Sequence, residues 1–349
     1  TPVLAGRYYY WLAMAFIFLG QRDDAAQSIQ RALEAGQCAQ DAQTLSMAHF
    51  VASGEDQFTG RLRQGVAHAE RAVALLEGPS DPFQRGRAYY AVGLLHTFLG
   101  HFPAALAALS EMESIGRASG DRRLQSQAAG LRGWIAAQCG AWQEGLAACQ
   151  QALEYAPDAH ETALNLGFLG AVYLEKGEGT QALPVLESAV QAAQQYRSQQ
   201  VQSWFIVFLG EAYRMNNQLE KAQDFTIQGG ALARRIKHPW GIGLAQRTLG
   251  RIAHTRGDLA EAARHLQDAV ATFDAMEAQY DLTRTHLDLA SLAHSQGNHD
   301  TATMHLSTAH AWFKKLQIPK WVERTEQLAC EYGSTLQEVR LEGSMEESS

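Results

Sequence analysis

Basic residues are scarce in this chain: 29 Lys and Arg stand against 37 Asp and Glu in 349 residues, a formal net charge of −8. Non-specific nucleic-acid affinity comes from clustered Lys and Arg, so this balance argues against a phosphate-binding surface and for no direct nucleic-acid partner. Cysteine is scarcer still. Cys38, Cys139, Cys149 and Cys330 form no CxxC pair and never combine with histidine at zinc spacing. That excludes a disulfide scaffold and a structural zinc site, and fits a reducing, cytoplasmic compartment. Long apolar runs are missing too. The most apolar stretch, YYYWLAMAFIFLG from Tyr8 to Gly20, falls short of the roughly 20 residues of a membrane span, so no membrane partner is expected. GxxxxGK[ST], a strand-borne GxGxxG, GxSxG and HExxH are all absent, and so are alternating strand-like segments to carry them. No enzyme and no cofactor is expected.

Proline numbers only 8, whereas Ala, Gln, Leu and Glu abound, and 46% of residues are hydrophobic. The composition is that of a globular helical protein. Its organisation is repetitive. Gly20, Gly60, Gly100, Gly140, Gly177, Asn217, Gly257 and Gly297 follow one another at intervals of 40, 40, 40, 37, 40, 40 and 40 residues. Glycine and asparagine best tolerate the left-handed conformation that ends a helix, so these positions read as turns. Five residues after each turn stands Ala or Gly, and seven before it Ala, Ser or Gly. Two helices joined by a short turn approach closely only where both lack bulk, so the paired small positions mark the crossing of a helical hairpin. A third small site recurs twelve after the turn, with Met112 the exception, and would seat the next hairpin.

The stretch LGAVYLEKGEGTQALPVLESAV carries Leu-Gly, Tyr, turn-Gly, Ala and Ala in the order of the tetratricopeptide repeat, LGRIAHTRGDLAEAARHLQDAV carries the same positions except the Tyr, and Pro157 stands at that family's terminal proline position. The chain resembles this superfamily from residue 1 to 318, with a period nearer 40 than the family's usual length and a degenerate second repeat carrying Ser53 and Gly65 at its crossing. The resemblance implies an all-α solenoid of eight helical hairpins in a right-handed superhelix. A capping helix is expected at 319–333, and a flexible acidic tail at 334–349. Tyr8 to Leu19 becomes the first helix of the first hairpin. It is apolar on more than one side, unlike a terminal helix with a polar outer face, and the chain starts at Thr1 without Met. More protein is therefore expected upstream.

In tetratricopeptide proteins the first helix of each hairpin lines the concave side, and partners contact positions 13, 10, 6, 3 and 2 before the turn. Ten before, this chain carries Tyr10, Phe50, Tyr90, Gly130, Gly167, Val207, Arg247 and Leu287; two before come Phe18, Phe58 and Phe98 in the first three repeats. The remaining positions supply Trp204 and Arg284, Trp134, Glu211 and Arg251, and Arg214, His254 and His294. The groove thus reads as aromatic at its N-terminal end and basic and polar toward repeats 6 to 8. Arg247, Arg251 and Arg284 together would suit a carboxylate or phosphate clamp, because guanidinium groups bind such anions bidentately. The plainer alternatives are that the aromatics fill inter-helix core and that the arginines pair with Glu211 and Asp288. Asn is absent six before every turn, which disfavours a chaperone-tail clamp. His294, His299, His305 and His310 read as surface polar residues, and the Asp23–Asp24 and Glu111–Glu113 pairs as solvated faces or caps.

The C-terminal repeats are similar to the sensor arms of bacterial signalling ATPases with numerous domains and of maltose-operon-activator-type regulators. That resemblance implies a non-catalytic sensor or regulatory arm, with a protein, peptide or small inducer in the concave groove and upstream domains of the same polypeptide as partners. A freestanding adaptor that grips peptide segments of other proteins is the alternative.

Overall fold

The computed structural model describes residues 1–76, 80–195, 198–339 and 341, apart from the side chain of Phe18. The described residues hold seventeen helices and no strand. In chain order they are α1 (Pro2–Leu19), α2 (Arg22–Ala39), α3 (Ala42–Thr59), α4 (Leu62–Ala74), α5 (Pro82–Leu99), α6 (Phe102–Ser119), α7 (Arg122–Gln138), α8 (Trp142–Tyr155) and α9 (Ala159–Lys176). There follow α10 (Gly179–Gln195), α11 (Gln199–Met215), α12 (Leu219–Arg235), α13 (Pro239–Arg256), α14 (Leu259–Ala275), α15 (Gln279–Ser295), α16 (His299–Lys315) and α17 (Pro319–Glu331).

Local chemistry sets the boundaries. The seven turn glycines have φ between 72° and 88°, and Asn217 takes 56°, the left-handed region where a Cβ crowds the carbonyl, so that glycine adopts it freely and asparagine more readily than other residues. Four odd-numbered helices, α3, α5, α7 and α9, begin on aspartate caps: Asp41, Asp81, Asp121 and Asp158 each accept a hydrogen bond from a first-turn backbone N–H, a contribution of about 1 kcal/mol apiece. Within each hairpin the small positions meet. A Cβ on Gly133 would lie 2.9 Å from the carbonyl oxygen of Gly145, and one on Gly250 would lie 2.7 Å from Leu266 Cγ. The residue five after the turn thus presents its backbone, and the one nine after presents its side chain. At Gly170 the obstructing group is Leu186 rather than Ala182.

Successive hairpins stack so that odd helices pack beside odd helices, from α1 against α3 to α13 against α15. The stack also comes back on itself. α1 touches α11, α3 touches α13 and α5 touches α15. Gly20 faces Ile236, Gly60 faces Met276 and Gly100 faces Leu316. Each of these first three turns therefore rests on the connection that follows the hairpin five units later. Polar bonds tie this seam: Arg22 Nε donates to the Ile236 carbonyl at 3.1 Å, and Arg63 pairs with Glu277 at 2.5 Å. α17 packs on α16, and Trp321 Nε1 reaches back to the Gln138 carbonyl at 2.8 Å. Beyond α17, Ser334 bonds Thr303 and the Gln337 amide bonds Ser307, both at 2.9 Å. This first part of the expected tail lies along α16; residue 340 and residues 342–349 fall outside the described residues.

Candidate functional site

The odd helices, facing one another beside and across the turns, enclose a narrow bore. Aromatic side chains fill its middle. Trp134 stacks on Phe168 at 5.4 Å, and Trp240 meets Trp204, Phe98 and Trp134 edge-on at 5.1, 5.0 and 5.9 Å. A cavity lies on either side of this plug. Trp204 borders the first, and Trp134 and Trp240 border the second.

The first cavity, about 210 Å³, sits among α1, α3, α5, α7, α9 and α11. Phe50, Phe58, Tyr90 and Trp204 line it together with Met14, Leu94 and Leu164. The guanidinium of Arg87 lies 4.3 Å over the Phe50 ring from outside and donates to the Tyr10 hydroxyl at 2.7 Å. Tyr10 itself is fully buried with Ala13, Ile29, Met47 and Val51, so that member of the aromatic series packs the first hairpin and lines neither cavity. The series stops after repeat 3 for a steric reason. At Gly130 the side-chain amide of Asn165, and at Gly167 the ring of Phe205, both from the next odd helix, occupy the space a side chain would need.

The second cavity, about 80 Å³, is bounded by Trp134, Glu175, Glu211, Arg247, Arg251 and Arg284 among others. Here the arginines are already engaged. Arg247 and Arg251 share Asp288 at 2.6 and 2.9 Å, Arg251 also reaches Glu211 at 2.9 Å, and Arg214 grips Glu211 bidentately at 2.8 and 2.9 Å. Arg284 pairs with Glu175 and the Tyr280 hydroxyl and lies 3.7 Å over Trp321. Burial disfavours the ionised form of Glu211, but Arg214 and Arg251 overcome it and hold the carboxyl down at about 2. Asp288 is lowered in the same way: burial opposes its charge, and Arg251 and Arg247 outweigh it. The expected anion clamp is thus a network that ties α9, α11, α13 and α15 with the chain's own carboxylates. Two atoms in its walls stay unpartnered among the described residues, Arg247 Nη2 and Gln138 Oε1.

The two histidines of the expected groove lie at its edge. His254 Nε2 contacts Ser295 Oγ at 2.9 Å, and His294 stacks flat on Tyr332 at 3.9 Å, under the C-terminal cap. Sequence reasoning missed Trp240, the largest fully buried side chain, because it stands at the start of its helix, outside the in-phase groove positions. It also missed His238. That ring accepts from Trp204 Nε1 and the Gly241 amide, and burial, with Arg22 nearby, pushes it down to about 3. Burial raises the thiols of Cys139 and Cys149 to about 11 and 12, which leaves them unreactive. Among the described residues, no cluster of three or more His, Cys, Asp or Glu could hold a metal ion, and no helix is long and apolar enough to cross a membrane.

The sequence profile of the MalT-like TPR region matches residues 126–334, and a tetratricopeptide repeat profile matches residues 6–35. No curated protein matches the sequence. Among solved structures, a Rap protein complexed with competence and sporulation factor is 16% identical, with a TM-score of 0.63 over 83% of this chain and 82% of that one. The Rap conjugation gene regulator of plasmid pLS20, in complex with a Phr peptide, is 13% identical, with a TM-score of 0.64 over 94% and 97%. A signal-transduction ATPase with numerous domains from Pyrococcus horikoshii, which carries a tetratricopeptide repeat sensor, is 14% identical with a TM-score of 0.50. It matches 92% of this chain and 50% of its own length. At these identities the likeness is one of fold.

Proposed function

The chain belongs to the family of MalT-like TPR regions, and from that premise we propose that it is a non-catalytic recognition module. Its bore takes a peptide or small inducer, and it serves as the sensor arm of a larger cytoplasmic signalling ATPase or transcriptional regulator. The observation that carries this reading is the bore itself. It leaves two cavities on the face that tetratricopeptide solenoids use for binding, one apolar and one ionic. Concave sites with an apolar body and a few placed polar groups are the usual form of ligand sites. The half-length match to a regulatory ATPase with a repeat sensor favours the arm. The near full-length match to a plasmid regulator solved with a peptide favours the second reading, a freestanding adaptor for peptide segments.

A displayed library of random heptapeptides, panned against the chain, tests the inner face. Enriched peptides are expected to lose about tenfold in affinity, or 1.4 kcal/mol, with Tyr90→Ala or with Arg251→Ala. Peptides indifferent to both substitutions would move recognition to the convex surface or the connections.

A further inference from the structure

The first cavity has a chemical signature of its own. Rings and aliphatic groups make up most of its walls, Ser53, Gln127, His160, Ser198 and Gln200 add neutral polar ones, and the residues lining it include no Asp, Glu, Lys or Arg. Among the polar residues Gln57 carries an unpartnered buried donor. Its side chain is buried, 4% exposed, and Oε1 accepts from Gln200 Nε2 at 3.0 Å, while Nε2 has no partner among the described residues. Buried donors are nearly always satisfied, because an unmade bond forfeits the whole cost of desolvation. A carbonyl oxygen on a ligand would satisfy this one.

Size limits the ligand. A dry cavity of about 150 Å³ lined by apolar side chains holds benzene, so about 210 Å³ admits an aromatic ring and a small substituent. Charge limits it as well. An ionised group here would meet no lining counter-charge, and burying an unpaired charge is prohibitive.

We propose that the cavity between α3, α5 and α11 binds a neutral, ring-sized apolar ligand bearing one carbonyl oxygen, with Gln57 Nε2 as its donor. The inference rests on the reading of the bore as a recognition surface and names the ligand class of its N-terminal half. It also gives binding a mechanical consequence. Met14, Phe50 and Gln57 belong to the first superhelical turn, whereas Gln200, Val201 and Trp204 come from α11, which closes back on α1. A ligand here joins the two turns at the seam that the Gln57–Gln200 bond already spans.

Titration calorimetry of the full chain with acetophenone, benzene and benzoate tests the assignment. Acetophenone is expected to bind about fivefold to tenfold more tightly than benzene, the worth of one hydrogen bond, and benzoate to show no binding. In Gln57→Leu the two neutral probes should bind alike, with benzene retained as proof that the cavity persists. Equal affinity for both probes in the unaltered chain would overturn the proposal, as would a preference for acetophenone that survives Gln57→Leu, or tighter binding of benzoate. Failure here is separable from failure of the reading beneath it. Tyr90-dependent peptides with no acetophenone binding overturn the ligand class alone, whereas absence of both overturns the inner face as a recognition surface.

Discussion

Glu161 allows the electrostatics of the bore to be tested without any ligand. It stands in the first turn of α9, fully buried; Oε1 accepts from Gln127 Nε2 at 2.8 Å, Arg123 approaches at 3.6 Å, and Oε2 has no partner. Burial dominates these interactions and raises the carboxyl from 4.5 to about 7. The folded chain therefore keeps a proton that the unfolded chain releases between those two values. Stability from this group is complete below pH 4.5, falls as pH rises through the window, and is level above about 7. At about 1.4 kcal/mol per pH unit, the loss amounts to ~3 kcal/mol. Glu161→Gln keeps the shape, the acceptor for Gln127 and an unpartnered donor in place of Oε2, but it cannot ionise. The substitution should be nearly neutral at acid pH and stabilising by ~3 kcal/mol at mildly alkaline pH. Urea unfolding of both proteins, followed by circular dichroism across this range, reads the difference directly, and every other titrating group cancels. A stability difference independent of pH, or destabilisation at alkaline pH, would refute the reasoning.

Three further outcomes follow from the same structure. Gly170→Leu places a side chain where Leu186 leaves no room even for a Cβ, so stability should drop by about 1–3 kcal/mol or more; an unchanged thermal midpoint would show the crossing is misassigned. His238 is neutral when folded, at about 3 against 6.5, so stability declines as pH falls from 6.5. The loss should reach about 2 kcal/mol near pH 5, and His238→Asn, which keeps the cap acceptor, should flatten that limb of a pH series. At the seam, Arg22→Met strands the buried carboxylate of Glu55, its partner at 2.7 Å, and should cost about 3–5 kcal/mol. Adding Glu55→Gln should recover most of it, and a double variant as weak as the single in urea would show that the ion pair is not the cause.

The hairpins were legible in the sequence because their determinants are local. A left-handed residue, a small residue five positions on and another seven back suffice to turn the chain and cross two helices, and each repeat states this afresh. Gly133 against the Gly145 carbonyl and Gly250 against the Ala262 carbonyl are that rule in contact. The division of the inner face, aromatic first and ionic later, could also be read by projecting one position through successive repeats. What the projection could not supply was closure. The small rotation between neighbouring hairpins belongs to no single residue, yet summed over five units it sets Gly20 on Ile236 and α1 against α11. From that closure follow the aromatic plug around Trp240, the capture of Arg284 by Glu175 more than a hundred residues away, and the unpartnered Gln57 donor beside the first cavity. The sequence by itself determined where the chain turns and where its hairpins cross; the pitch of the superhelix, a cumulative property of packing, decided which inner residues meet.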